Sequence, residues 1–190
     1  MSRFVPTWEQ YKKELSRISG DIRGTIIIRL LSECGIAREE LAYAQRINLD
    51  LHHTRGLWIE KAKKVKNGSN YEMRSREVPV NSSLYPLLKA YLDTSPSQFV
   101  INRMRSSNLQ LPLTPRNINT IFDEHLKIPW SPHDCRHFFR SQVRFWMIRE
   151  KQIDIQVIKE IMGHTLQIHE KYGEESPFEY KLEIVDSVFG

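Results

Sequence analysis

The sequence predicts a mainly α-helical domain with one small antiparallel β-sheet, an α+β fold. Three observations predict it. Apolar residues recur at helical spacing along most of the chain, a short strand-like pair interrupts them before the middle, and Thr114-Pro115 and Ser131-Pro132 open helices in the second half. With 190 residues, 40% of them hydrophobic, the chain can bury one good core, so residues 1–190 are read as a single domain.

The elements follow in order. Ile22, Ile26, Ile27, Leu30, Leu31 and Cys34 form a helical stripe that Gly35 can end. A second, short helix is predicted from Arg38 to about Arg46. Leu57-Trp58-Ile59 reads as a strand, Asn67-Gly68-Ser69-Asn70 as a turn, and Glu77-Val78-Pro79-Val80 as a returning edge strand, because proline cannot donate to a central ladder. Leu84, Leu87, Leu88 and Tyr91 stripe one helix; Thr114 and Ser131, each before a proline, cap two more. The helix after Ser131 is expected to bury Phe139, Val143, Trp146 and Met147. Asp154 caps a helix that turns Val157, Ile158 and Ile161 inward and closes at Gly163. Trp58, Trp130 and Trp146 are read as core residues.

Composition bounds the function. Two cysteines do not make a disulfide scaffold and suit a reduced, cytoplasmic protein. The longest branched apolar run, Ile26-Ile27-Ile28, stops at Arg29, far short of a membrane span, and the first residues lack the apolar centre of a signal peptide. The formal net charge is +5, and its placement is informative. Residues 52–76 hold seven basic residues (Arg55, Lys61, Lys63, Lys64, Lys66, Arg74 and Arg76) against Glu60 and Glu72. Arg136, Arg140 and Arg144 recur every fourth residue on a helix whose other face is apolar. A basic hairpin beside a basic helix face suits a polyanion, most simply a nucleic-acid backbone.

The most specific stretch is Ser131-Pro132-His133-Asp134-Cys135-Arg136-His137, followed by Met162-Gly163-His164 and then Tyr172. His133 and His137 share one helix face, but a zinc site wants about four ligands, and Cys135 points elsewhere on the helix. His-x-x-Arg, a helical interval, Gly-His and a following tyrosine resemble the tyrosine-recombinase, or phage-type integrase, signature. The family adds an arginine after a glycine-containing turn, here Arg38 after Cys34-Gly35-Ile36-Ala37, and a lysine in a β-hairpin. All six elements occur in order over roughly residues 5 to 185.

The resemblance implies a tyrosine-recombinase catalytic-domain architecture and an enzyme that cuts and rejoins DNA through a 3′-phosphotyrosine intermediate, serving the integration or excision of a mobile element. It implies that Tyr172 is the nucleophile, that Arg38 and Arg136 clamp the phosphate, that Lys63 protonates the leaving oxygen, that His133 accepts a proton and that His164 donates to the phosphate. Lys61, Lys64, Lys66, Arg74, Arg76, Arg140 and Arg144 are expected to contact DNA. No metal and no cofactor is implied. The partner is double-stranded DNA, on which family members assemble as tetramers over paired sites; the free chain is expected to be monomeric, DNA-associated and away from membranes. A DNA-binding protein of the same fold with little activity, and a topoisomerase-like nicking-closing enzyme, are the alternatives.

The sequence departs from the family at three places. The first arginine normally stands three residues before an acidic–apolar pair; here Glu40-Leu41 is that pair, Ala37 holds the matching position, and Arg38 follows it. His164 and Tyr172 are eight residues apart, one fewer than usual, which leaves Tyr180 as a reserve nucleophile. The family's N-terminal core-binding domain is expected to be absent from this chain. Lys64 and Lys66 stand behind Lys63 as alternatives. Leu182, Val185 and Phe189 stripe a C-terminal helix within a tail, 173–190. That tail either folds back on its own core or, as the resemblance implies, passes to a neighbouring subunit. On the second reading, residues 178–190 are dispensable for folding.

Overall fold

Helix α2 (Ile22–Glu33) carries the core. Ile26, Ile27, Ile28, Leu30 and Leu31 cover most of its circumference and none has exposed surface. A helix that is apolar nearly all round must be covered on nearly all sides. Packed against it are α1 (Trp8–Ile18), α3 (Arg38–Tyr43), α4 (Tyr85–Thr94), α5 (Pro115–His125) and α6 (Pro132–Arg149), while α7 (Ile155–Met162) and α8 (Phe178–Phe189) rest on α6. This computed structural model describes residues 4–50, 53–60, 65–67, 70–72, 75–103, 111–163 and 175–190, with the backbone alone at 65–67 and 70–72. Among the described residues no helix is long and apolar enough to cross a membrane.

The expected architecture, mainly helical with a small antiparallel sheet, is the one observed. Strands β1 (Leu49–Asp50), β2 (Gly56–Ile59) and β5 (Arg76–Pro79) form an antiparallel sheet in the order β1-β2-β5. Pro79 therefore lies on an edge strand, where its missing N–H costs no ladder bond. A separate ribbon pairs β3 (Val65–Asn67) with β4 (Asn70–Glu72), Asn67 opposite Asn70.

Local signals set the helix ends. Thr114 and Ser131 each form a capping box, with Asn117 and Asp134, ahead of a proline in the first turn. Asp154 accepts from the backbone N–H of Gln156 and Val157, and Gly163 closes α7 in the left-handed conformation at φ +65°. Three expectations are corrected. Ile22 is the first residue of α2 and is half exposed, because that turn overhangs the core. α3 ends at Tyr43, not near Arg46, because Ala44 is extended and a 3-10 turn follows over Arg46–Asn48. Trp58 is exposed on the outer face of β2, whereas Trp130 is buried as expected and Trp146 is half-buried.

The tail folds back. Ile184 and Val185 are fully buried, Phe189 stacks on Phe139 at 5.8 Å and 14°, and Arg55 forks the Asp186 carboxylate at 2.6 and 3.2 Å. In this structure α8 packs into the core of its own chain, as in the first of the two readings, and truncation of residues 178–190 tests its part in folding.

Candidate active site

The site begins at two helix starts. Gly35, at φ +66°, turns the chain out of α2 where a Cβ would strike the Phe139 ring at 2.9 Å. Ala37 then caps α3, and the Glu40 carboxylate reaches back to its N–H at 2.8 Å. This fixes Arg38 as the first residue of α3. The Ser131 capping box likewise fixes the start of α6, with His133 exposed in its first turn and Arg136 buried one turn on. Arg38, His133 and Arg136 all line one cleft of about 410 Å³, together with Ala37, Glu39, Asn119 and Ser131. Three of the residues expected to act on phosphate thus come together from two helices.

Their electrostatic settings differ. Arg136 donates to the carbonyls of Gly35 at 2.7 Å and Met162 at 2.5 Å, so it joins the start of α3 to the end of α7. Burial pushes its guanidinium down to about 10, with Glu40 opposing and Arg76 assisting that shift; it remains a cation at neutral pH. Arg38 is a third exposed and donates to Glu39 and, at 3.0 Å, to Asn119 Oδ1. His133 and His137 approach through Nε2 atoms 3.2 Å apart, one donating to the other. Among the described residues no group of three or more histidine, cysteine, aspartate or glutamate side chains could hold a metal ion. Cys34 and Cys135 are buried, and burial pushes both thiols up, away from thiolate chemistry.

Arg76 is a correction. It was expected on the DNA surface, but its side chain is 4% exposed and turned inward. Its two terminal nitrogens fork the two oxygens of Glu40, each at 2.8 Å, and Nε donates to the Ile161 carbonyl at 2.7 Å. Strand β5 packs against α7, and from it the Arg76 side chain reaches Glu40 on α3. Burial raises the Glu40 carboxyl, but the hydrogen bonds and charge of Arg76, the Ala37 N–H and the charge of Arg136 outweigh it, leaving Glu40 below the usual carboxylate range. Arg140 and Arg144 are exposed on α6. Tyr172, His164, Lys61, Lys63, Lys64 and Arg74 lie outside the described residues, as does the side chain of Lys66. Tyr180 sits on α8, where burial and the neighbouring Asp154 and Glu183 push its phenol up, and it does not line the cleft.

Two participants were not singled out from sequence. Asn119 binds Arg38 from 81 positions away, and nothing in its local sequence marks it. Glu40 was noted as part of a pattern, yet given no role; its place three residues after the cap of α3 was the available signal.

A buried arginine, a one-third exposed arginine and a histidine thus surround one cleft on a helical scaffold with a small sheet. A sequence model of the phage integrase family matches residues 8–172, and the chain belongs to that family. It is 29% identical over 167 residues to the tyrosine recombinase XerA of Pyrococcus furiosus, covering 84% of this chain and 52% of that protein. The chain therefore spans about half the length of that relative. Its fold resembles the catalytic core of lambda integrase, with a TM-score of 0.62 at 15% identity over 87% of this chain and 94% of that one. It also resembles the Tn1549 transposon integrase solved in complex with circular intermediate DNA, with a TM-score of 0.65 at 19% identity over 94% and 63%.

Proposed function

We propose that the chain is the catalytic domain of a site-specific recombinase that cleaves and rejoins double-stranded DNA, serving the integration or excision of a mobile element. The observation that carries this reading is the convergence of Arg38, His133 and Arg136 on one cleft. Tyr172 attacks the scissile phosphorus, forming a 3′-phosphotyrosine bond as the bond to the 5′-oxygen breaks. Its phenolic proton passes to His133, and Lys63 protonates the departing oxygen. Arg38 and Arg136 take up the charge on the non-bridging oxygens, helped by a hydrogen bond from His164. Lys61, Lys64, Lys66, Arg74, Arg140 and Arg144 hold the backbone of the duplex. The Tn1549 integrase, which shares this fold, was solved with DNA. Two paired sites bring four protomers together.

One observation favours the second reading, a DNA-binding protein of this fold with little activity. Arg38 is paired with Glu39 and Asn119, and the family's arginine position holds Ala37. A nicked suicide duplex separates the two, because the cleaved strand fragment diffuses away and traps the covalent adduct. The parent protein should form the adduct in excess EDTA, since guanidiniums and an ammonium supply the charge and proton that a metal would otherwise provide. Arg38→Ala should still bind the duplex while adduct formation slows on the order of a hundredfold. Duplex binding without any parent adduct would establish the second reading, and an Arg38→Ala rate equal to the parent's would remove Arg38 from the site.

A further inference from the structure

Among the described residues, the buried centre behind the cleft contains two guanidiniums and one carboxylate. Arg76 forks Glu40 with two hydrogen bonds of 2.8 Å, whereas Arg136 makes only a longer ion pair with the same carboxylate, 3.7 Å from Oε2 and beyond hydrogen-bond distance. The hydrogen bonds that Arg136 does make go to uncharged carbonyls, those of Gly35 and Met162. Glu40 Oε2 takes a further bond from the Ala37 N–H. The Glu40 carboxylate is thus held by Arg76 and by its own helix cap, and of these three groups it is Arg136 that lines the cleft.

We propose that Arg76 is a positioning residue: by occupying both oxygens of Glu40 it keeps that carboxylate from capturing Arg136, and so leaves the charge of Arg136 for an anion in the cleft. The inference rests on the reading of that anion as the scissile phosphate. Arg76 cannot readily swing out of this role. Its Nε is tied to Ile161, and its guanidinium lies against Gly163, where a Cβ would come within 2.6 Å of Nη1. Glycine at 163 therefore serves two ends, the left-handed turn and room for the fork.

In Arg76→Met the Glu40 carboxylate loses its fork and pairs directly with Arg136. In the double variant Arg76→Met, Glu40→Gln the carboxylate charge is gone too, and Arg136 again carries one uncompensated charge. Arg76→Met should bind the duplex with the parent's affinity and salt slope, while adduct formation on the suicide duplex slows by roughly tenfold to a hundredfold. In a titration with inorganic phosphate, the nitrogen-15 signal of the Arg136 Nε–H should shift in the parent and stay still in Arg76→Met. The double variant should recover both the rate and the shift. A merely structural arginine would leave the double variant as impaired as the single one, and that result overturns the proposal. A fall of about 0.9 in the log–log salt slope of Arg76→Met would make Arg76 a phosphate contact, and overturns it as well. Should Arg76→Met fail to fold, Arg76→Lys takes its place: one ammonium cannot hold both oxygens, so its rate should be reduced and should rise when Glu40→Gln is added. A lysine variant as fast as the parent contradicts the idea. If the parent forms no adduct at all, the recombinase reading fails, and the phosphate titration alone decides the role of Arg76: a shift recovered in the double variant supports it, and no recovery refutes it.

Discussion

Arg136→Lys is expected to fold, to bind duplex DNA, and to form the covalent adduct on the order of a hundredfold more slowly or worse. The guanidinium does two things at once. Through Gly35 and Met162 it ties the entrance of α3 to the exit of α7, and it presents its charge to the cleft. A lysine keeps the charge and leaves the Arg76–Glu40 fork intact, which protects folding. It cannot span two carbonyls and also grip two phosphate oxygens, since it lacks the planar fork. Single-turnover rates on the suicide substrate, measured at saturating protein, isolate the chemical step from binding. A rate equal to the parent's would remove Arg136 from the chemistry.

Removing residues 178–190 should unfold the protein. The truncation uncovers the sites of Ile184, Val185 and Phe189, all buried now, and strips Arg55 of Asp186. It also deletes Lys181, whose ammonium lies buried 3.3 Å from Glu160 and so pins α8 to α7. Burial of three large apolar side chains alone is worth roughly 5 kcal/mol or more, comparable with the whole stability of a small domain, about 5–15 kcal/mol. Circular dichroism should show loss of the cooperative thermal transition. A truncated chain that melts cooperatively near the parent's temperature would mean that α8 is an arm and not a wall of the core.

Much of the fold was legible because its signals are local. Thr114-Pro115, Ser131-Pro132 and Asp154 start helices by satisfying N–H groups within three residues of themselves, and Gly163 ends one through its own φ. α1 carried the same kind of signal, the Thr7/Gln10 capping box before Trp8, Tyr11, Leu15 and Ile18, and it was there to be read. Strand β1 was not, because two residues carry no period.

The cleft was legible as a set of residue types in order, which is how Arg38, His133 and Arg136 could be named before their convergence was seen. What sequence did not reveal is the direction in which each charge points. Arg136, Arg140 and Arg144 recur every four residues, but that spacing drifts by roughly 40° per step on a helix; Arg136 ends up buried while the other two stay in solvent. Arg76 reads as one more cation of a basic hairpin because its partner Glu40 lies 36 positions away. Its burial depends on tertiary packing between β5, α3 and α7, which no local pattern encodes.

In the proposed reaction Tyr172 becomes covalently joined to DNA at the cleft lined by Arg38, His133 and Arg136. The most direct measurement is to trap the parent protein on a nicked suicide duplex, digest the adduct with trypsin, and locate the nucleotide-bearing residue by mass spectrometry. The expected result is a nucleotide on Tyr172, and no adduct from Tyr172→Phe despite unchanged duplex binding. A nucleotide on Tyr180, or an adduct that persists in Tyr172→Phe, would contradict it.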